Sequence, residues 1–413
     1  MNLNQAKKIL KENKQEHICN LMDKLSKEKQ EEIINQIEGI DFEQMRELYK
    51  KTKEKIDLAD KKIEPISYLN KEKLSPEERE HYDNLGKEVI MNGRYAVVTM
   101  AGGKGTRLGH NGPKGTFFLD VKPNGKYIFE ILAESLQREN KKYGVTIPWY
   151  IMTSNENDID TKNFLEEKNF FGYNKESVHF FKQGEMPVLD EQGKLLINEN
   201  MNIKKSSDGN GSIFNSMKRE GVLEDMQKKS VEWIFIGGVD NVLVQMADTT
   251  LIGMAIDKNT EIASKSISKA SPNEKVGAFC KQNGVPKVIE YTELPEEMAK
   301  AVNQDGELIY GESHVMCNLF SLKALDKIAN SKLQYHVAFK KESYINEDGI
   351  LISPSEPNAY KFEMFIFDAF ELFDDIAILS GRRECDFAPV KNAEGNDSPE
   401  TAVNLYNNFH GLN

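Results

Sequence analysis

The sequence is poor in cysteine, in long apolar runs and in surplus positive charge. Its 413 residues include four cysteines, Cys19, Cys280, Cys317 and Cys385, and no two are spaced as CxxC. That argues against a disulfide framework and a zinc site, and it predicts reduced thiols in a cytoplasmic protein. No run approaches the ~18 apolar residues of a membrane-spanning helix. The opening "MNLNQAKKILKENKQEHI" lacks the apolar stretch of a signal peptide. A net charge of −12 argues against nucleic-acid and membrane-surface partners, which usually need a basic face. It leaves room for a small anion held by a few local cations.

What is present describes a folded chain. Hydrophobic residues make up 39% and charged residues 29%, the balance of a soluble globular protein. The length predicts two or three domains. Over residues 1 to about 60, apolar positions recur at helical spacing: Ile9, Leu10, Leu21, Met22, Leu25, Ile33, Ile34 and Ile37. Asp41 is placed to cap a helix over "FEQMRELYKK", and Ser75-Pro76 opens another with acids in its first turn. From about residue 92 the short apolar runs "YAVVTM", "IPWYIMTS", "VHFFKQG" and "VEWIFIGGVDN" alternate with helical stretches such as "IFEILAESLQRENKKYG". The alternation predicts an α/β fold with a doubly wound, mostly parallel sheet. Residues 260–345 read either as more of that sheet or as a flap over a ligand. The tail reads as a strand running into an amphipathic helix over "KFEMFIFDAFELF", then a polar loop and a closing helix. The expected division is a helical region over 1–91, a central domain over 92–345 and a short C-terminal region over 346–413.

In open parallel sheets, ligands bind beyond the carboxyl ends of the strands. There stands "MAGGKGTRLGHNGPKGTF", residues 100–117. Two familiar phosphate loops do not fit it. Leu108 occupies the place of the third glycine in G-x-G-x-x-G, and no register ends in Gly-Lys-Ser/Thr. A dinucleotide oxidoreductase and a P-loop kinase are therefore disfavoured. Glycines let the backbone approach a ligand and turn successive amides toward the same oxygens. Arg107 adds a planar fork suited to two phosphate oxygens, and Lys114 adds a compact charge. Asp240, after the apolar strand "WIFIGGVD", is a carboxylate at the same level of the sheet.

This loop resembles the signature of the UDP-sugar pyrophosphorylases. The longer match is to the UDP-N-acetylhexosamine pyrophosphorylases of eukaryotes, carried by "IPWYIMTS", "FFKQG", "SDGNGSIF", "VDNVLV", "LQYHVAFKK", "KFEMFIFD" and "FAPVKNA" in the family's order from about residue 64 to 393. The resemblance implies a Rossmann-like sheet of the nucleotide-diphospho-sugar transferase type and a uridylyl transfer. A sugar-1-phosphate oxygen attacks the α-phosphorus of UTP and pyrophosphate leaves, with Mg²⁺ as cofactor. It implies Arg107, Lys114 and Lys391 as phosphate-binding catalytic cations and Asp240 as the Mg²⁺ ligand. For uridine it implies Ala101, Gly102, Gly103, Gln183 and Gly209. For the sugar it implies Asn210, Gly277, Glu290, the residue at His314, and Phe365 with Phe367, whose alternation would set both rings on one side of a strand. At "GESHVMC" the family's Gly-Asn pair is replaced by Ser313-His314. The family's β-rich C-terminal extension is not seen after "VKNA", so the resemblance does not carry over an oligomer or regulation built on it.

Three activities fit these residues: transfer to N-acetylglucosamine-1-phosphate with its galacto epimer as a further candidate, transfer to glucose-1-phosphate, or nucleotide-sugar binding without turnover. Retention of Arg107, Lys114, Asp240 and Lys391 speaks against the last. The oligomeric state is left open.

Overall fold

The computed structural model describes residues 1–54 and 62–412. The end of the stretch read as helical, residues 55–61, lies outside the described residues. Contacts divide the chain into two compact units, each assembled from separate segments.

The larger unit is Lys61–Gln183, Ile213–Lys332 and Phe367–Asn413. Its centre is an eleven-stranded sheet. In chain order the strands are β1 (Ile63–Glu64), β2 (Leu69–Asn70), β3 (Tyr95–Met100), β4 (Trp149–Thr153), β5 (Val178–Lys182), β6 (Trp233–Gly238), β7 (Ile262–Ser268), β8 (Ala278–Gln282), β9 (Val285–Ile289), β10 (Glu312–Ser321) and β11 (Ala377–Gly381). The spatial order is β2-β11-β7-β10-β6-β3-β4-β5, and β8 joins β10 at one pair, Ala278 with Ser313. Pairing along this path is parallel except at β10, which runs antiparallel to both β6 and β7. The α/β, mostly parallel architecture is therefore as expected. β8 and β9 form an antiparallel hairpin attached to the sheet, so of the stretch 260–345 the part up to Ser321 extends the sheet, while His336–Lys340 belongs to the smaller unit.

Strands buried on both faces need continuous apolar runs, and β3 and β4 have them, from Tyr95 to Val98 and from Trp149 to Met152. Helices α1 (Pro76–Met91) and α2 (Ile128–Tyr143) flank the sheet. α1 begins with the expected Ser75 cap and Pro76, completed as a capping box by Glu78. The closing helix is Pro399–Phe409. Among the described residues no helix is long and apolar enough to cross a membrane.

The smaller unit is Met1–Asp60, Gly184–Ser212 and Leu333–Ile366. Four amphipathic helices, Leu3–Glu12, Glu16–Met22, Lys27–Glu38 and Phe42–Lys51, bury Leu10, Leu21, Met22, Ile33, Ile34 and Ile37 against Leu195, Ile197 and Phe362. Asp41 caps the fourth helix through the amide of Gln44. Buried Gln15 fixes the helices to the later segment: its Oε1 accepts from the Leu195 amide at 2.8 Å and its Nε2 donates to the Gly193 carbonyl at 3.2 Å. Strands His336–Lys340, Ala359–Glu363 and Leu189–Asp190 form a small antiparallel sheet in this unit.

Candidate active site

The carboxyl ends of β3, β4, β5 and β6 lie at one edge of the large sheet because these strands are parallel neighbours. The glycine-rich segment leaves β3 there. Its first residues are held to the sheet by the Ala101 amide, which donates to Met152 at 2.7 Å, and by Asn157, whose Nδ2 donates to the Ala101 carbonyl at 2.9 Å. The segment then folds back on itself. Lys104 pairs with Pro113 as an antiparallel bridge, Gly105 N donates to Gly112 O at 3.0 Å and Lys114 N donates to Gly103 O at 3.1 Å. A short 3-10 turn, Thr106–Leu108, forms the tip. Among the described residues the amides of Gly102, Gly103 and Lys104 donate no backbone hydrogen bond, which leaves them available to an anion. A Cβ at Gly102 would lie 2.5 Å from Gln183 Oε1. A side chain there would have to displace the Gln183 carboxamide. Gln183 itself is fixed by its amide, which donates to Thr153 at 2.8 Å.

Asp240 follows β6, and the Val239 amide donates to Met100 at 3.1 Å, where the elbow begins. Lys114 Nζ stands 3.8 Å from Asp240 Oδ2. Arg107 is exposed on the tip and forms no ion pair among the described residues. Lys391 is distant in sequence but is tied to the same place: Asn241 bridges Pro389, the Val390 amide donates to the Asp240 carbonyl at 2.9 Å, and Lys391 Nζ lies 3.7 Å from Asp397. Sequence reasoning missed Asn241, whose Nδ2 donates to Asp386 O at 2.7 Å while its Oδ1 accepts from Ala388 N at 2.8 Å. It also missed what holds Asp386. Lys265, fully buried, pairs with Asp386 and, at 2.7 Å, with Asp248, which also meets Lys71 at 2.7 Å. Burial alone pushes the Lys265 ammonium down, but the two carboxylates outweigh it and hold it above the ordinary lysine value. Asp248 is held well below the usual carboxylate range, because both lysines overcome its burial. A lone Lys inside "IASKSIS" signals this knot, but its partners lie 17 and 121 residues away, too far for spacing to name them.

Gly277, Glu290 and His314 also meet. A Cβ at Gly277 would lie 3.5 Å from Glu290 Oε1, and the His314 amide donates to Gly277 O at 3.0 Å. His314 reaches the edge because β10 is antiparallel, so its first residues lie level with the carboxyl end of β6. Its ring packs edge-on to Phe279, Phe367 and Phe370, and its Nε2 is 3.0 Å from Asn318 Oδ1. Burial among these rings lowers the imidazole to a pKa of about 4; Lys391 adds to this and Asn318 opposes it.

Gly209, Asn210 and Phe365 belong to the smaller unit. Gly209 has φ +90°, and a Cβ there would be 2.2 Å from Met364 O, so only glycine fits. Asn210 Oδ1 accepts from the Ile366 amide at 2.8 Å. That bond accompanies a correction. Phe365 and Phe367 do not alternate on a strand: the strand ends at Glu363, and a 3-10 helix, Ile366–Leu372, begins where the Asn210 side chain takes up a free amide. The expected amphipathic α-helix there is this 3-10 helix. Phe367 is buried in the larger unit, and Phe365 is half-buried beside His336, with ring centroids 4.6 Å apart. Among the described residues no three His, Cys, Asp or Glu side chains group to hold a metal ion.

The family profile described as UTP–glucose-1-phosphate uridylyltransferase matches residues 40–409. UDP-N-acetylglucosamine diphosphorylase 2 of Arabidopsis thaliana is 36% identical over 97% of this chain and 82% of its own length. The UDP-N-acetylglucosamine pyrophosphorylase of Saccharomyces cerevisiae is 37% identical over 83% of this chain and 74% of its own. The crystal structure of the Trypanosoma brucei uridine diphosphate N-acetylglucosamine pyrophosphorylase in complex with inhibitor superposes with a TM-score of 0.82 at 29% identity, covering 98% of this chain and 84% of that one. The chain belongs to the UTP–glucose-1-phosphate uridylyltransferase family, among its UDP-N-acetylglucosamine pyrophosphorylases.

Proposed function

We propose that the protein makes UDP-N-acetylglucosamine and pyrophosphate from UTP and N-acetylglucosamine-1-phosphate. The observation that carries this is the meeting of a cationic glycine elbow with Asp240, 3.8 Å from Lys114, in a chain whose relatives bear that enzyme's name.

An oxygen of the sugar phosphate forms a bond to the α-phosphorus of UTP. The bond from that phosphorus to the bridging oxygen breaks, and its electron pair leaves with pyrophosphate. The nucleophile is already an anion, so no base is needed. The barrier lies in bringing two polyanions together, which calls for positioning and fixed positive charge. The free backbone amides of Gly102, Gly103 and Lys104 and the side-chain carboxamide of Gln183 hold the nucleotide. Arg107 and Lys114 stabilise charge on the leaving pyrophosphate, and Lys391 meets the phosphate joined to the sugar. Within the larger unit, Gly277, Glu290, His314 and Phe367 bound the sugar.

The donor set suits Mg²⁺. A single carboxylate with no dedicated cage matches an ion that keeps waters and takes most of its ligands from substrate phosphates. Asp240 would hold it, and the bound ion would offset the charge that the two substrates bring together. The four cysteines stand as free thiols, which supports a cytoplasmic setting.

Pyrophosphate release measured with UTP and a panel of sugar-1-phosphates tests the reading. Turnover is expected with N-acetylglucosamine-1-phosphate. Turnover with glucose-1-phosphate alone, or UTP binding without pyrophosphate, would reject it.

A further inference from the structure

We infer that His110 is a positioning residue: its imidazole braces the glycine elbow and so sets Arg107 relative to Lys114. The inference rests on the reading of that elbow as the UTP site.

The backbone ladder of the elbow joins residues 103–105 to 112–114; beyond it the tip keeps the bonds of its 3-10 turn, Leu108 N to Gly105 O at 2.8 Å and Gly109 N to Thr106 O at 3.1 Å, and the packing of Leu108 on the core, and His110 ties its returning arm. The His110 amide donates to Gly105 O at 3.1 Å, and its ring fills the space between the two arms. A Cβ at Gly105 would lie 2.8 Å from His110 Cβ, and one at Gly112 would lie 2.8 Å from His110 Nε2. The two glycines therefore leave the gap that the imidazole occupies. Phe117 closes one side edge-on, with centroids 5.7 Å apart.

The hydrogen bonds fix the tautomer. Buried Thr116 Oγ1 lies 2.8 Å from Pro113 O and 2.8 Å from His110 Nε2. A carbonyl can only accept, so the single hydroxyl proton goes to Pro113. The hydroxyl must then accept, and His110 Nε2–H donates. The chain His110–Thr116–Pro113 thus ends one residue before Lys114, and it anchors the far end of the tip that carries Arg107. Pre-setting two cations for one triphosphate is where a small displacement costs most.

The test uses the full-length protein and compares His110→Ala, His110→Gln, His110→Asn, Thr116→Val and the double variant His110→Ala/Thr116→Val. Gln carries an amide donor near the position of Nε2, whereas Asn stops short of Thr116. Expected for His110→Ala is a rise of about tenfold in KM for UTP, with KM for the sugar phosphate and the melting temperature nearly unchanged. Gln should restore most of the UTP affinity and Asn should not, and the double variant should be no worse than His110→Ala. If His110→Ala does not fold, the Gln-against-Asn comparison decides. Wild-type KM for UTP in His110→Ala while Arg107→Ala is impaired would overturn the brace, as would Asn matching Gln or equal shifts in both KM values. Silent Arg107→Ala and Lys114→Ala variants would instead reject the elbow as the UTP site, and the brace with it.

Discussion

Replacing Lys114 by alanine separates catalysis from stability, and the structure sizes both effects. Among the described residues the ammonium has one ionic partner, Asp240 at 3.8 Å, and the two side chains keep 18% and 24% of their surface exposed. A pair that loose and that wet contributes at most about 1 kcal/mol. The backbone bond from Lys114 N to Gly103 O survives the change, so the elbow keeps its ladder. The melting temperature should fall by no more than about 2 °C. Removing a fixed charge that meets the leaving group costs far more, about 100- to 1,000-fold in kcat. Arg107→Ala should show the contrast more sharply, because its exposed side chain holds no ionic partner among the described residues: activity falls while the melting curve stays where it was. The assay is the initial rate of pyrophosphate release across UTP concentrations at saturating sugar phosphate, beside a thermal melt of the same preparation. A rate within about threefold of wild type, or a loss of activity matched by a loss of folded protein, would refute the assignment.

Three further outcomes follow from the site. Excess EDTA should abolish pyrophosphate release and added Mg²⁺ should restore it; full turnover in EDTA would remove Asp240 from the metal role. Lys265→Met leaves Asp386 buried without its counter-charge and should cost about 3–5 kcal/mol in denaturant unfolding, part of it recovered in Lys265→Met/Asp386→Asn; a loss below about 1 kcal/mol would mean that the knot is not holding the segment. His314 has its pKa lowered from 6.5 to about 4, so between those values the unfolded chain binds a proton that the folded chain refuses. Its contribution to stability is complete above pH 6.5 and is lost as pH falls toward 4. His314→Asn should therefore flatten the melting temperature over that window relative to wild type, and parallel curves would count against a buried neutral imidazole.

The parts of the molecule legible in its sequence are those whose physics is local. Continuous apolar runs gave β3, β4 and β6, because a strand covered on both faces has no polar side to show. Ser75-Pro76 and Asp41 marked helix starts, because a cap acts within three residues. The elbow was legible because glycines, Arg107 and Pro113-Lys114 fall within one turn of chain. What stayed hidden depends on distant partners. The smaller unit gathers residues 1–60, 184–212 and 333–366. The buried amide of Gln15 fastens the helices to the segment around Leu195, yet in a string of letters it resembles any polar surface residue. The alternation "FIF" predicted a strand, yet a side chain 156 positions earlier, Asn210, accepts the Ile366 amide and starts a 3-10 helix instead. The same logic explains why the segment carrying Lys391 lies beside Asp240. A backbone bridge from Asn241 to Pro389 brings them together, and the Asn241 side chain and the buried Lys265–Asp386 pair hold that bridge. The groups proposed for catalysis meet at this edge because the buried Lys265–Asp386 pair and the Asn241 side chain hold the segments that carry them, and so substitutions at Lys265 or Asn241 should reach the proposed chemistry without touching a substrate.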